Sequence, residues 1–146
     1  MPGGLALAYI EQGSLMSRFK YVAGLVAASW LILSSAAHSL LGWRQLQAQL
    51  RAASAPEDLV FAVKAGWQFA GVSMLCFAII VIAILRGRYR DPSVSTRPVN
   101  FIGIAYAAYG LWALLTSNGN WFFLVFIVPG LLLLGVTPWR SVPREA

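Results

Sequence analysis

Residues 59–85 read LVFAVKAGWQFAGVSMLCFAIIVIAIL, 27 residues in which Lys64 is the one charge. A helix crosses a hydrocarbon core about 30 Å thick with about 20 apolar residues, so this stretch is more than long enough. Three further apolar runs, 21–41, 101–116 and 121–136, surround it in the chain. Without water to satisfy them, backbone N–H and C=O groups must pair inside the segment, which makes each run a helix. The expectation is all-α: a transmembrane four-helix bundle.

Composition agrees. The 146 residues are 59% hydrophobic and 11% charged, with mean hydropathy +0.70. A soluble domain carries about 25% charged residues, so this chain could not cover a wetted surface. Once the four runs are assigned, only short connectors remain. One membrane domain, 18–140, is expected between a flexible tail at 1–17 and a short tail at 141–146. Met16-Ser17-Arg18-Phe19-Lys20 is also a natural alternative start, a basic lead just before an apolar run. A rival reading makes the first run a secretory signal cleaved after Ser35-Ala36-Ala37. Apolar character continuing through Leu40, Leu41 and Trp43 favours an uncleaved span.

The basic residues fix an expected orientation. Arg18 and Lys20 precede the first run; Arg86, Arg88, Arg90 and Arg97 follow the second; Arg140 and Arg144 follow the fourth. Those eight fall on one side. The other side holds Arg44 and Arg51, with Glu57 and Asp58 beside them, and no basic residue in 117–120. Basic flanks resist translocation, so both termini are expected inside, in a multi-pass protein of the cell membrane. Nine of the eleven basic residues are Arg and Ala is abundant, a bias common in bacteria with GC-rich genomes, and the expected location is a bacterial inner membrane. Trp43, Trp67, Trp112 and Trp121 fall at the expected outer boundary, and Tyr21, Tyr89, Phe101 and Trp139 at the inner one, where amphipathic rings settle. The net charge of +6 lies at span ends and not along a soluble stripe, which argues for lipid headgroups and against nucleic acid.

Between the first two runs, Leu46 and Leu50 alternate with Arg and Gln, as in a helical extension of span one or a helix lying at the interface. Pro56 ends that element, and Glu57-Asp58 suit the next helix N-terminus. Asp91-Pro92 and Arg97-Pro98 mark a loop, Ser117-Asn118-Gly119-Asn120 a tight turn, and Pro129 a kink inside the fourth run. Small residues let helices approach in lipid. They place inward faces at Gly24, Ala27, Ala28, Leu31, Ser35 and His38 of span one, at Lys64, Gln68, Gly71 and Leu75 of span two, and at Gly103, Tyr106, Ala107 and Gly110 of span three. Cys76 reads as a buried apolar residue, since no neighbouring charge would lower its pKa.

The candidate site groups His38, near the outer end of span one, with Lys64 and Gln68 from the first turns of span two. Ser35 and Trp67 would wall the same region. Ionisable groups inside a membrane cost about 2.5–3.5 kcal/mol or more and invite a functional reading, here a small polar pocket open to the outer face. The plainer reading has Lys64 snorkelling to the headgroups and His38 and Gln68 bonding between helices. One histidine excludes paired haem ligands, and one cysteine excludes a thiol relay. The absence of Asp and Glu from all four runs excludes an acid-coupled exporter and a di-iron carboxylate site. No P-loop or HExxH motif is present. No cofactor or metal is implied, and an enzyme is not expected.

Ala37-His38, Gly42-Trp43, and Gly66-Trp67-Gln68-Phe69 leading into Gly71 resemble the pattern of small, functionally uncharacterised bacterial four-span membrane proteins over residues 21–86. That resemblance implies a four-helix membrane protein and brings no activity or site residue with it. The expected role is a non-enzymatic accessory or structural membrane component, working in the lipid bilayer as a homo-oligomer or with a membrane protein partner. The alternative is a carrier or binding protein for a small molecule, lipid or quinone.

Overall fold

The computed structural model describes residues 16–137, so residues 1–15 of the expected tail and everything from Pro138 onward, including Trp139 and Arg140, lie outside the described residues. Helices account for nearly all of that length, and no strand occurs among the described residues. Helix α1 spans Arg18–Ala37, opened by the Ser17 hydroxyl accepting from the Lys20 N–H. A π-helical turn, His38–Gly42, joins it without a break to α2, Trp43–Ala52. The segment after the first span is therefore its helical extension, and Arg18–Ala52 is one rod of 35 residues, about 52 Å long. It ends where Ser54 turns left-handed (φ 54°) and the Ala55 N–H reaches back to Leu50 O. That is the closing motif expected just ahead of a proline.

Helix α3, Glu57–Arg90, runs back along α1–α2 with acids in its first turn and Arg88 and Arg90 in its last, each charge matched to its end of the helix dipole. An Asp91 turn follows. The Ser93 N–H and hydroxyl each donate to its carboxylate at 2.8 Å, which holds the Asp91 pKa below its ordinary value. Helix α4, Arg97–Thr116, carries Pro98 in its first turn. The tight turn after it has Asn118 and Gly119 left-handed. A 3-10 turn, Trp121–Phe123, then leads into α5, Leu124–Val136.

Three helices, Arg18–Ala52, Glu57–Arg90 and Arg97–Thr116, are long and apolar enough to cross a membrane; Trp121–Val136 is apolar but shorter. Its 16 residues span about 26 Å. The Thr137 hydroxyl nevertheless meets the Asn100 side chain, so the chain returns to the level at which α4 began.

Two antiparallel hairpins, α1–α3 and α4–α5, pack through α1 and α5, while α3 and α4 touch only lightly. On α1 the buried residues are Gly24, Ala27, Ala28, Leu31 and Ser35, the expected stripe. On α3 they are Gly71, Met74, Ala78, Val81 and Leu85. The expected Leu75 is 39% exposed, and Cys76 is exposed as well rather than buried. The α3 seam advances by alternate threes and fours, the spacing of helices crossing at a shallow angle, and that spacing passes through Met74 and Ala78 and leaves Leu75 outside. The pair is in close contact along its length: a Cβ on Gly24 would strike Leu85, one on Gly71 would strike Ser39 and approach His38, and one on Gly42 would strike Trp67. At the arginine-bearing end Tyr21 and Tyr89 stack at 4.5 Å. The second hairpin packs backbone on backbone. A Cβ on Gly130 would lie 2.7 Å from Ala107 N and 2.8 Å from Gly103 O.

Candidate functional site

His38 lies 17 residues from Tyr21, and Trp67 lies 18 from Leu85. Both are thus about 26 Å along the hairpin from its arginine-bearing end. There the helices exchange hydrogen bonds. Trp67 Nε1 donates to His38 O at 2.7 Å, and His38 Nε2 donates to Trp67 O at 3.2 Å. The rings stack at 4.2 Å, 6° from parallel. Gln68 Nε2 donates to Ser39 O at 3.1 Å, and the buried Ser35 hydroxyl donates to Gly71 O at 2.7 Å.

The π turn follows from these bonds and in turn permits them. Trp43 N–H bonds His38 O across five residues instead of four, widening the turn so that the His38 and Ser39 carbonyls can also meet α3 side chains. The wider turn moves the inward face forward by one residue. Beyond it the contact with α3 passes to Trp43, which is buried rather than displayed at the boundary. Gly42 admits the Trp67 ring, since a Cβ there would sit 2.8 Å from it.

Four of the five sequence-derived site residues, Ser35, His38, Trp67 and Gln68, therefore meet, and their bonds join α1 to α3. Lys64 is exposed and stands apart. It shares their face of α3 but lies 21 residues from Leu85, about 32 Å along. It is thus one turn beyond Gln68, on the side away from the arginine-bearing end.

Beside this joint is a groove of about 790 Å³ that sequence reasoning did not outline. One wall is a single stripe of the α1–α2 rod, stepping by threes and fours from Trp30 through Leu33, Ala37 and Leu41 to Gln45 and Gln49. His38 and Trp67 line its middle, Met74 its floor, and Phe122, Val125 and Phe126 the opposite wall. The groove is a consequence of the packing. Near the arginine end, α5 approaches α1 closely enough for Val136 to lie 3.4 Å from a Cβ on Gly24. At the other end, bulky Phe122 and Phe126 face bulky Trp30 and Leu33, and the helices part. Neither the stripe nor the face opposite it carries a mark in the sequence that sets it apart from the lipid-facing residues around it. No group of three or more His, Cys, Asp or Glu that could hold a metal occurs among the described residues. Compared with protein-family models, curated proteins and solved structures, the chain matches none of them.

Proposed function

We propose that this chain is a four-span membrane component, N-in and C-in, that holds a lipid-like or other apolar small molecule in the groove between the α1–α2 rod and α5 and performs no chemistry on it. The observation that carries this reading is the groove itself. It has the volume of a small-molecule site, its lining is predominantly apolar, and it carries a few polar groups. The described basic residues support the orientation: six of the nine, Arg18, Lys20, Arg86, Arg88, Arg90 and Arg97, sit at one end, and Arg44, Arg51 and Lys64 at the other. The return of Thr137 to Asn100 supports a fourth crossing, because α5 retraces nearly the whole depth of α4. A bacterial inner membrane remains the location that the arginine bias and the resemblance over residues 21–86 favour.

A purely structural or accessory role, alone or with a membrane partner, is the second reading. It is favoured by the use of Ser35, His38, Trp67 and Gln68 in joining helices. Native mass spectrometry of the protein in mild detergent separates the two. The binding reading expects a co-purifying lipid-sized adduct at one per chain, lost from Ala37→Trp, which fills the groove from an exposed position. A wild-type chain without adduct, or an adduct unaffected by Ala37→Trp, favours the structural role.

A further inference from the structure

The groove changes chemistry along its length in the way one leaflet of a bilayer does. Measured from Tyr21, Trp30 lies about 14 Å along the rod, Gln45 about 36 Å and Gln49 about 42 Å. Its deep part, lined by Trp30, Leu33, Met74 and Phe126, is apolar apart from Ser34, and its outer part is lined by Leu46 and the two glutamines. A hydrocarbon core ends near 30 Å, so the deep part lies at acyl-chain depth and the glutamines at headgroup depth.

Among the described residues, no Asp, Glu, Lys or Arg lines the groove. A phosphate would find no cation along that wall, and an ammonium no carboxylate. The polar groups present are two-way or neutral. An amide both donates and accepts, as a hydroxyl does. His38 adds an acceptor. Its Nε2 donates to the Trp67 carbonyl, so in the neutral ring Nδ1 carries a lone pair. Its Cδ2 edge faces Gly71, which turns Nδ1 away from α3.

From this, resting on the binding reading above, we infer that the occupant is an uncharged, hydroxyl-rich lipid: a sugar-headed diacylglycerol with an acyl chain between α1 and α5 and its sugar against Gln45 and Gln49. Arg44, Arg51 and Lys64 stand at the same end of the molecule but outside the groove lining, so a charged headgroup seated against Gln45 and Gln49 would find its ionic partners only beyond the groove, whereas a sugar would find its hydrogen-bond partners within it.

The test uses the full chain in nanodiscs doped at equal mole fraction with chain-photoactivatable glucosyl diacylglycerol, phosphatidylglycerol or diacylglycerol, with adducts mapped by peptide mass spectrometry. The expected result is adducts on groove peptides with the glucosyl lipid about tenfold over either other probe, falling to their level in Gln45→Leu/Gln49→Leu. Both glutamines are exposed on α2, away from the helix joint. Should that variant fail to fold, the three-probe comparison on the wild-type chain decides alone. Equal or stronger groove labelling by phosphatidylglycerol or diacylglycerol overturns the sugar selection and leaves lipid binding standing. Labelling by none of the three overturns both.

Discussion

His38 is the residue whose substitution reads the helix joint most directly. It makes one side-chain hydrogen bond, accepts two through its carbonyl, from Trp67 Nε1 and the Trp43 N–H, and stacks on Trp67. His38→Ala removes the ring, so the bond from Nε2 and the stack are lost while the carbonyl stays. A net hydrogen bond contributes about 0.5–1.5 kcal/mol, and an aromatic pair a similar amount. The expected loss is about 1–3 kcal/mol, measured as a shift in unfolding of the micelle-bound protein by denaturing detergent. His38→Phe keeps a stacking ring and loses only the bond, so it should recover roughly half of that loss. If alanine and phenylalanine variants unfold alike, stacking contributes nothing and the joint depends on hydrogen bonds alone. Lys64→Met tests the neighbouring conclusion in the same assay. An exposed ammonium that stands apart from the joint predicts a change within about 0.5 kcal/mol.

At the scale of the element, α1 was the most legible helix and α5 the least. The α1 stripe from Gly24 to Ser35 could be read directly because small and polar residues mark a contact face against a background of Val, Ile and Leu. On α3 the same reasoning took Gly71 correctly and then chose Leu75, since an apolar residue in lipid carries no mark of facing inward or outward. Met74, Leu75 and Cys76 are equally at home in hydrocarbon, and only the crossing geometry with α1 selects Met74. The joint's members were legible as the polar exceptions of two apolar runs. Their exchange of backbone bonds was not, because it depends on a π turn that no residue pattern announces. The groove was invisible for a related reason: it is a place where two helices fail to meet. Packing in α4–α5 yields a prediction with an internal control. Gly130→Ala must push apart backbone atoms of Ala107 and Gly103 that lie under 3 Å from the new carbon, at a cost of about 1–3 kcal/mol. Gly135→Ala, on the same helix, meets nothing within 4 Å and should be neutral or slightly stabilising, as alanine is in helices. Thermal unfolding of the two variants side by side, followed by helical circular dichroism, would show the difference. Equal behaviour would mean that α4 and α5 are not in backbone contact.

For the whole molecule, the proposed four crossings require two hairpins of unequal length to share one bilayer. From Leu85 back to Leu59, α3 covers about 39 Å, whereas Trp121–Val136 covers about 26 Å. Aligned at the arginine end, where Thr137 meets Asn100 and Tyr21 meets Tyr89, the short hairpin stops near the level of His38 and Trp67. The α2 helix and the first turns of α3 then stand beyond it. A hydrophobic length a few ångströms short of the core is accommodated by local thinning at modest cost, so a fourth crossing remains compatible with these dimensions. The single cysteine makes the arrangement testable. In a Cys76→Ala background, single cysteines at Ala53, Asn118 and Ser95 are exposed to a membrane-impermeant maleimide in intact cells and again after permeabilisation. Positions 53 and 118 should label in both conditions and position 95 only in the second, because Ser95 lies in the loop flanked by Arg86, Arg88, Arg90 and Arg97. Labelling of 53 without 118 would mean that α4 turns back before crossing. Labelling of 95 alone in intact cells would invert the molecule and place the groove in the cytoplasmic leaflet, where a lipid would have to reach it from the other side.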